Sequence, residues 1–454
     1  MTSDLMVEQA GGKIPVKRRE IFGWAMYDFA NSSYTTVIIS VVYSAFFTGH
    51  IVPASSEARD SYWAIAIIAS TLIALVLSPF VGAICDYSGR KKRYLLYATL
   101  TCATSATLLF TVGQGDVWLA IGLIAISNAA FMLGEAFCGS FLTDLATKKN
   151  MGAISGLGWG LGYFGGLTSL ALVMATISAT PEADLPAFIG QNQRAMIFIG
   201  IFYLLAAIPT FVLVKDRGRP APGFEGASLG KLAAVGFKEL AASWSLVRKY
   251  KILFQFFMAF TVYMAGLEVV IKFIGIYATA ELKLAQSDLI KMFLIIQISA
   301  ALGALAFGWL EARIGAKPTV LATIGWWVVA ILSIFFLQDI ADASGAEPKS
   351  VFFVISLIAG GGIGSIQSSS RTVVGLLSPA ARSAQMFGFW GMFMRLAIIL
   401  GMTFGLVSDA VGRREAMLVV VGFFVVGGIM LAFVPIQKGI DEAAKEADGA
   451  DLAA

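Results

Sequence analysis

Charge is scarce in this chain. Only 14% of its 454 residues are Asp, Glu, Lys or Arg, against 58% hydrophobic; soluble domains carry about 25% charged residues. That balance excludes a water-soluble domain. Histidine is nearly absent. The one copy, His50, is expected in a loop, which excludes a histidine-built metal site. The three cysteines, Cys85, Cys102 and Cys138, lie in or at the ends of apolar runs, so no disulfide framework is expected. The formal net charge is only +4. Its basic residues are spread among loops, which argues against a nucleic-acid partner. The short alternating segments of a β-barrel are missing. No nucleotide loop, metal cluster, Ser–His or Cys–His set stands out, so neither an enzyme nor a cofactor is expected. Residues 1–20 are polar and basic without a separate apolar core, so no cleaved signal peptide is expected.

What is present is apolar sequence in long runs. Twelve runs are long enough to cross a bilayer: 22–48, 61–85, 92–113, 117–144, 153–178, 195–214, 252–279, 289–311, 317–337, 350–374, 384–408 and 414–436. The expected fold is an all-α membrane protein with twelve transmembrane helices in two six-helix pseudo-repeats. The chain divides into an N-terminal segment (1–20), a first bundle (21–214), a linker (215–251), a second bundle (252–436) and a tail (437–454). The second part of the linker, Leu229 to Val247, has the pattern of an amphipathic surface helix, although a plain linker fits as well. The tail is rich in Ala, Asp and Glu and is expected to be disordered. With the N-terminus in the cytoplasm, 24 of the 33 lysines and arginines fall in inside segments and 7 outside. The bias places both termini in the cytoplasm, with Arg413 and Arg414 as the local violation.

Between runs 2 and 3 the chain reads Gly82-Ala83-Ile84-Cys85-Asp86-Tyr87-Ser88-Gly89-Arg90-Lys91-Lys92. Gly82 permits close helix approach and Gly89 a tight turn. Asp86 is placed to pair with a cation of the other half, and Arg90 to Arg93 to anchor the inner face. The corresponding place in the second half, Gly308-Trp309-Leu310-Glu311-Ala312-Arg313-Ile314-Gly315, keeps the glycine spacing but has Ala312 at the acid position. A breakable latch between two halves is the function this pattern suits; a simple topology anchor is the alternative.

The loop resembles the signature of the major facilitator superfamily. Three further stretches narrow the likeness. They are Trp24-Ala25-Met26-Tyr27-Asp28-Phe29-Ala30-Asn31-Ser32-Ser33-Tyr34, the glycine-rich Ser155 to Gly166, and Gly360 to Arg371. In this order they resemble the vacuolar-effluxer branch, named for an autophagy-related yeast protein and including many bacterial members. The resemblance implies twelve helices, alternating access and, for its best-known member, export of neutral amino acids. It also implies that helices 1, 4, 7 and 10 line one central cavity.

Acids and bases inside the runs then acquire a place. Asp28 in run 1, Glu135 in run 4, Glu268 and Lys272 in run 7, and Arg371 in run 10 fall on cavity helices. Arg395, in run 11, does not. An ionisable group in a membrane helix costs roughly 2.5–3.5 kcal/mol on insertion scales and is commonly functional. Asn31 shares the face of Asp28, with Tyr34 nearby. Asn128, Met132 and Glu135 share one face, as do Gln367 and Arg371. Glu268 and Lys272 are spaced to pair with each other. Asp28 and Glu135 have no local cation, which makes either a candidate proton carrier. Arg371 is a candidate ligand for a substrate carboxylate, or a latch partner for Asp86 or Asp144. Gly158, Gly162 and Gly166 recur as a tight-packing seam, flanked by Trp159 and Tyr163, which pack or face substrate. The favoured expectation is a proton-coupled transporter of a small zwitterion such as an amino acid. It is expected to be monomeric and to lie in a bacterial inner membrane. The alternatives are efflux of lipophilic compounds, suggested by Trp159, Tyr163, Phe164 and Met132, and a non-transporting sensor or scaffold.

Overall fold

The structure is a computed structural model that describes residues 5–9, 12–53, 59–177, 184–241, 248–280, 282–284 and 286–443. It is almost entirely helical. Twelve helices are long and apolar enough to cross a membrane: Arg18–Ile51, Tyr62–Ser88, Lys91–Thr111, Val117–Leu145, Met151–Met174, Leu185–Leu213, Lys251–Lys272, Lys291–Ile314, Ala316–Phe335, Pro348–Leu377, Ser383–Phe404 and Arg414–Phe433. These are spans 1 to 12 below.

Several boundaries differ from the expected ones for local reasons. Span 6 begins ten residues before the expected Ala195, at Leu185. The Asp184 side chain caps it by accepting the Ala187 N–H at 3.0 Å. The polar residues that hid this turn are accommodated in the helix: Asn192 bonds the Phe188 carbonyl and Gln193 the Val112 carbonyl. Span 1 extends to Ile51 through π-helical turns at Thr35–Val41 and Phe47–Ile51. His50 therefore lies in the last turn of a helix, not in a loop, with its ring against Phe46 and Phe188. Three elements were not expected. A two-stranded antiparallel hairpin, Leu5–Gln9 with Gly12–Val16, precedes span 1. An amphipathic helix, Leu337–Ser344, follows span 9. Residues 437–443 of the tail are helical, with Ile440 buried and Gly439 against Leu377 and Ile252. The rest of the tail lies outside the described residues.

The linker helix forms at Leu229–Ala241; the expected remainder, 242–247, lies outside the described residues. It packs along span 2, where Phe237 meets Phe80 at 4.8 Å between ring centres and Gly236 lies against Phe80 and Ile84. The first part of the linker is strapped to the turn between spans 2 and 3. Ala221 donates to the Tyr87 carbonyl, and Gly89, with φ +62°, lies against the backbone of Arg219 and Pro220. Only a glycine fits that turn, because its φ and the close backbone both exclude a Cβ. Gly315, φ +87°, makes the matching turn between spans 8 and 9.

One buried apolar cluster draws on residues from Ile252 to Ile440, and two others mainly on spans 1 to 6. The six-and-six arrangement thus has a core in each half. The halves meet at the end where the linker lies, here the linker face. Two glycine-lined seams form there. Gly82 of span 2 lies against Ala384 and Gln385 of span 11, and Gly388 of span 11 against Ser78 and Pro79. Gly156 of span 5 lies against Ala304 and Gly308 of span 8. Without side chains on these faces, backbones approach closely enough for dispersion contacts along the seam.

Candidate functional site between the halves

The acid at the heart of span 1 is not unpaired. Arg371 of span 10 donates from Nη1 to Asp28 Oδ2 at 2.8 Å, and the two side chains are only 5% and 14% exposed. The same guanidinium donates from Nε to Ser155 Oγ (3.1 Å) and from Nη2 to the Ser155 carbonyl (2.9 Å) of span 5. Its planar face lies over Trp24 at 4.8 Å and Trp159 at 5.4 Å. Dividing donors between a carboxylate and Ser155 while lying over two indoles is a task for arginine and not lysine. Gly158 makes the room: a Cβ there would meet Asp28 Oδ2, Arg371 Nη2 and the Trp24 ring. One node thereby joins spans 1, 5 and 10 across the two halves. The Trp159 indole N–H, in the same place, is buried with no hydrogen-bond partner.

A second, looser pair lies beside it. Glu135 of span 4 faces Arg395 of span 11 with 3.9 Å between Oε2 and Nη2; Glu135 is 29% exposed. Glu268 and Lys272 pair on span 7 at 3.2 Å. Glu268 is also within electrostatic reach of Arg395 and Glu135. Arg395 is thus a member of the polar set that helix numbering alone excluded. Asp28 and Glu135, which have no local cation, each find one on the opposite half.

Other expected residues turn away from this interface. Asn31 accepts from Tyr203 Oη of span 6 at 3.0 Å. Tyr34 bonds Ser127 of span 4 at 2.8 Å and stacks on Phe131. Asn128 donates to Ser70 of span 2 at 2.8 Å. All three are buried ties within the first half. Met132 belongs to that half's apolar core. Tyr163 lies against Gly364 of span 10, and Gln367 is half-buried one turn from Arg371.

At the linker face the latch differs in detail from the expected one. Among the described residues, Asp86 meets no cation of the other half. Its two oxygens accept the backbone N–H groups of Ala384 (3.1 Å) and Gln385 (2.7 Å), in the first turn of span 11. Those groups have no partner within their own helix, and the helix dipole favours an anion there. The buried cation at this face is Lys91, whereas Arg90 is exposed. Lys91 pairs with Asp144 of span 4 at 3.0 Å and donates to Ser383 Oγ of span 11 at 2.7 Å. Arg371, held by Asp28, serves neither Asp86 nor Asp144. The linker helix adds Glu239, which receives Tyr87 Oη (2.7 Å) of the first half and Arg382 Nη1 (3.0 Å) of the second. Burial pushes the Glu239 carboxyl up, but bonds from Tyr87 and Arg382 outweigh it and hold it below the usual range. Among the described residues no cluster of His, Cys, Asp and Glu is arranged to hold a metal.

Twelve spans in two bundles, with charged side chains paired across their junction, define a major facilitator-type membrane transporter. Comparison with known proteins gives the family. Residues 50–444 match the family described as vacuole effluxer Atg22 like, and the chain belongs to it. It is 26% identical over 432 residues to the uncharacterized MFS-type transporter YxiO of Bacillus subtilis (strain 168), covering 94% of this chain and 97% of that protein. Autophagy-related protein 22 of Kluyveromyces lactis is 23% identical over 402 residues, covering 84% of this chain and 78% of that protein. Among solved structures, the proton:xylose symporter XylE superposes with a TM-score of 0.71 at 14% identity, covering 94% of this chain and 98% of that one. FucP in its outward conformation gives 0.64 at 16% identity, covering 92% and 99%. At these identities the likeness to solved structures establishes the fold.

Proposed function

We propose that this transporter moves a small zwitterionic solute, an amino acid or similar, by alternating access, with a proton as the coupling ion. The observation that carries the reading is the Glu135–Arg395 pair. It joins the two halves at 3.9 Å, too far for a hydrogen bond, with Glu268 and Lys272 close by. A solute with an ammonium and a carboxylate inserted there gives each charge a closer partner than it now has. The unpartnered Trp159 indole supplies a further donor to a carboxylate. Of the two acids, Glu135 is the better proton carrier, because Asp28 is held in a short, nearly sealed pair. In this reading 21–214 and 252–436 are the moving bundles and 215–251 joins them. The linker face, with the basic loops, is cytoplasmic, and the membrane is a bacterial inner membrane.

The test is binding by thermal shift, followed by flux in proteoliposomes at two pH values. Neutral amino acids should bind, and their decarboxylated and deaminated analogues should bind at least tenfold more weakly. Glu135→Gln should remove the pH dependence of flux, and Arg395→Gln should remove selectivity for the carboxylate. Equal binding of the analogues would refute the zwitterion. A lipophilic cation would show losses with Glu135→Gln but not with Arg395→Gln, and a sensor would show no flux at all.

A further inference from the structure

The second seam of the linker face contains an acid that no latch uses. Glu311, in the last turn of span 8, is 4% exposed. It lies on Gly152, in the first turn of span 5 of the other half, where a Cβ would come within 2.6 Å of its carboxyl carbon. Neither of its oxygens has a hydrogen-bond partner. The hydroxyls beside it belong to Ser369, itself unpartnered, and Thr372, which donates to the Ser368 carbonyl. Among the described residues beside it, each basic side chain is engaged elsewhere, exposed or distant. On its own helix, Arg313 stacks on Trp309 at 3.7 Å. Lys317 at the start of span 9 is bound to the carbonyls of Ala432 and Val434. Span 10 carries Lys349 at its far end and Arg371, which is engaged by Asp28 and Ser155. Span 5 has only Tyr163 as a titratable side chain, and Lys148 and Lys149 before it are exposed.

We propose that Glu311 takes up a proton from the solution at the linker face when the halves close there, and returns it when they part. The reasoning is electrostatic. A carboxylate sealed from water without a cation, and with only hydroxyls beside it, is strongly disfavoured, whereas a neutral carboxyl is tolerated. Glu311 sits on the seam, so separation of spans 5 and 8 returns it to water, where it ionises as an ordinary glutamate. The proton enters and leaves from the same side. Glu311 is thus a proton-binding site that sets how readily this face opens, distinct from a proton carried across the membrane.

The inference rests on the alternating-access reading above. Its test uses the full chain in lipid nanodiscs with Cys85, Cys102 and Cys138 replaced by Ala and spin labels at Lys149→Cys and Ile314→Cys, both exposed positions flanking the seam. Interlabel distances are measured from pH 5 to 9, with and without an amino acid. With Glu311 intact, the ratio of parted to closed forms should rise by up to about tenfold per pH unit above roughly 4.3, the ordinary glutamate value. Glu311→Gln, the size-matched neutral group, should stay closed and lose at least half of that slope. A variant that keeps the full slope, or favours the parted form at every pH, overturns the role of Glu311 alone. If neither protein shows a parted form under any condition, alternating access itself fails and the inference with it.

Discussion

Removing either partner of the Asp28–Arg371 pair should destabilise the protein, but unequally. Taking one partner from a buried pair costs about 3–5 kcal/mol, because the other charge is left uncompensated. Asp28→Asn leaves Arg371 with two bonds to Ser155 and two indole faces. It should fall at the lower end, about 3 kcal/mol. Among the described residues, Arg371→Gln leaves the carboxylate with only the Cys138 thiol, 4.0 Å away, and it should fall near about 5 kcal/mol. The pair joins the two halves, so the loss falls on the form closed at the linker face. At 1.4 kcal/mol per decade, that form is depleted roughly 100-fold by the first change and several thousand-fold by the second. The double variant removes both charges and should cost less than the sum, with a coupling energy of about 2–3 kcal/mol. Thermal unfolding of the purified proteins and substrate flux, run as a four-member cycle, measure this. Equal losses from the two single variants, adding without coupling, would refute the reasoning.

Three other outcomes follow from the same geometry. Gly158→Ala puts a methyl group onto Asp28 and Arg371 and should cost about 1–3 kcal/mol by overpacking. Its flux should fall further than its melting temperature suggests, and unchanged flux would count against the node. Lys91→Ala, which strips a buried cation from Asp144 and Ser383, should cost about 3 kcal/mol, whereas Arg90→Ala should stay within about 0.5 kcal/mol; melting temperatures decide between Lys91 and Arg90 as the latch cation. For Glu239 the sign is fixed by a carboxyl held below its ordinary value of 4.5. Its stabilising bonds to Tyr87 and Arg382 are fully present above pH 4.5 and fade as pH falls through the lowered value. The difference in melting temperature between the parent and Glu239→Gln should therefore be constant at neutral pH and shrink in acid; a constant difference down to pH 3 would sink that assignment.

Much of the architecture is legible in one sequence because lipid imposes one rule on every span. Twenty or so apolar residues must form a helix, and that rule sets the number of spans. It fails at ends, where a helix continues in polar sequence, as at Leu185, or where π turns carry His50 onward. The membership of the polar set is half legible. Asp28, Glu135, Glu268, Lys272 and Arg371 announce themselves as costly charges in apolar sequence. So did Arg395, and its cost was the signal to trust over the helix-number rule that set it aside. Asn31, Tyr34 and Asn128 show the converse limit. A polar residue on a shared face can satisfy itself against a neighbouring span, and only packing reveals which. The latch was legible as a place but not as chemistry: backbone N–H groups at a helix start leave no mark in the side-chain code, so Asp86 invited a cation that it does not need.

The two seams of the linker face are related by the repeat, and the difference between them bears on mechanism. In each, an acid at the end of the second helix of one half meets the first turn of the fifth helix of the other. Asp86 reaches two N–H groups of span 11, while Glu311 meets Gly152 of span 5 and makes no bond. The offset is small in sequence, since Glu311 stands one residue before the place that corresponds to Asp86, which Ala312 occupies. A shift of one residue turns a side chain by about 100° around its helix axis. That is enough to take a carboxylate off the helix end and set it in the seam. Of two acids in a shared architecture, one bonds backbone N–H groups across the seam, and the other is set in the seam without a backbone donor. On the proposal above, opening at this face depends through Glu311 on the acidity of the solution it meets, while the Asp86 contacts tie span 2 to span 11.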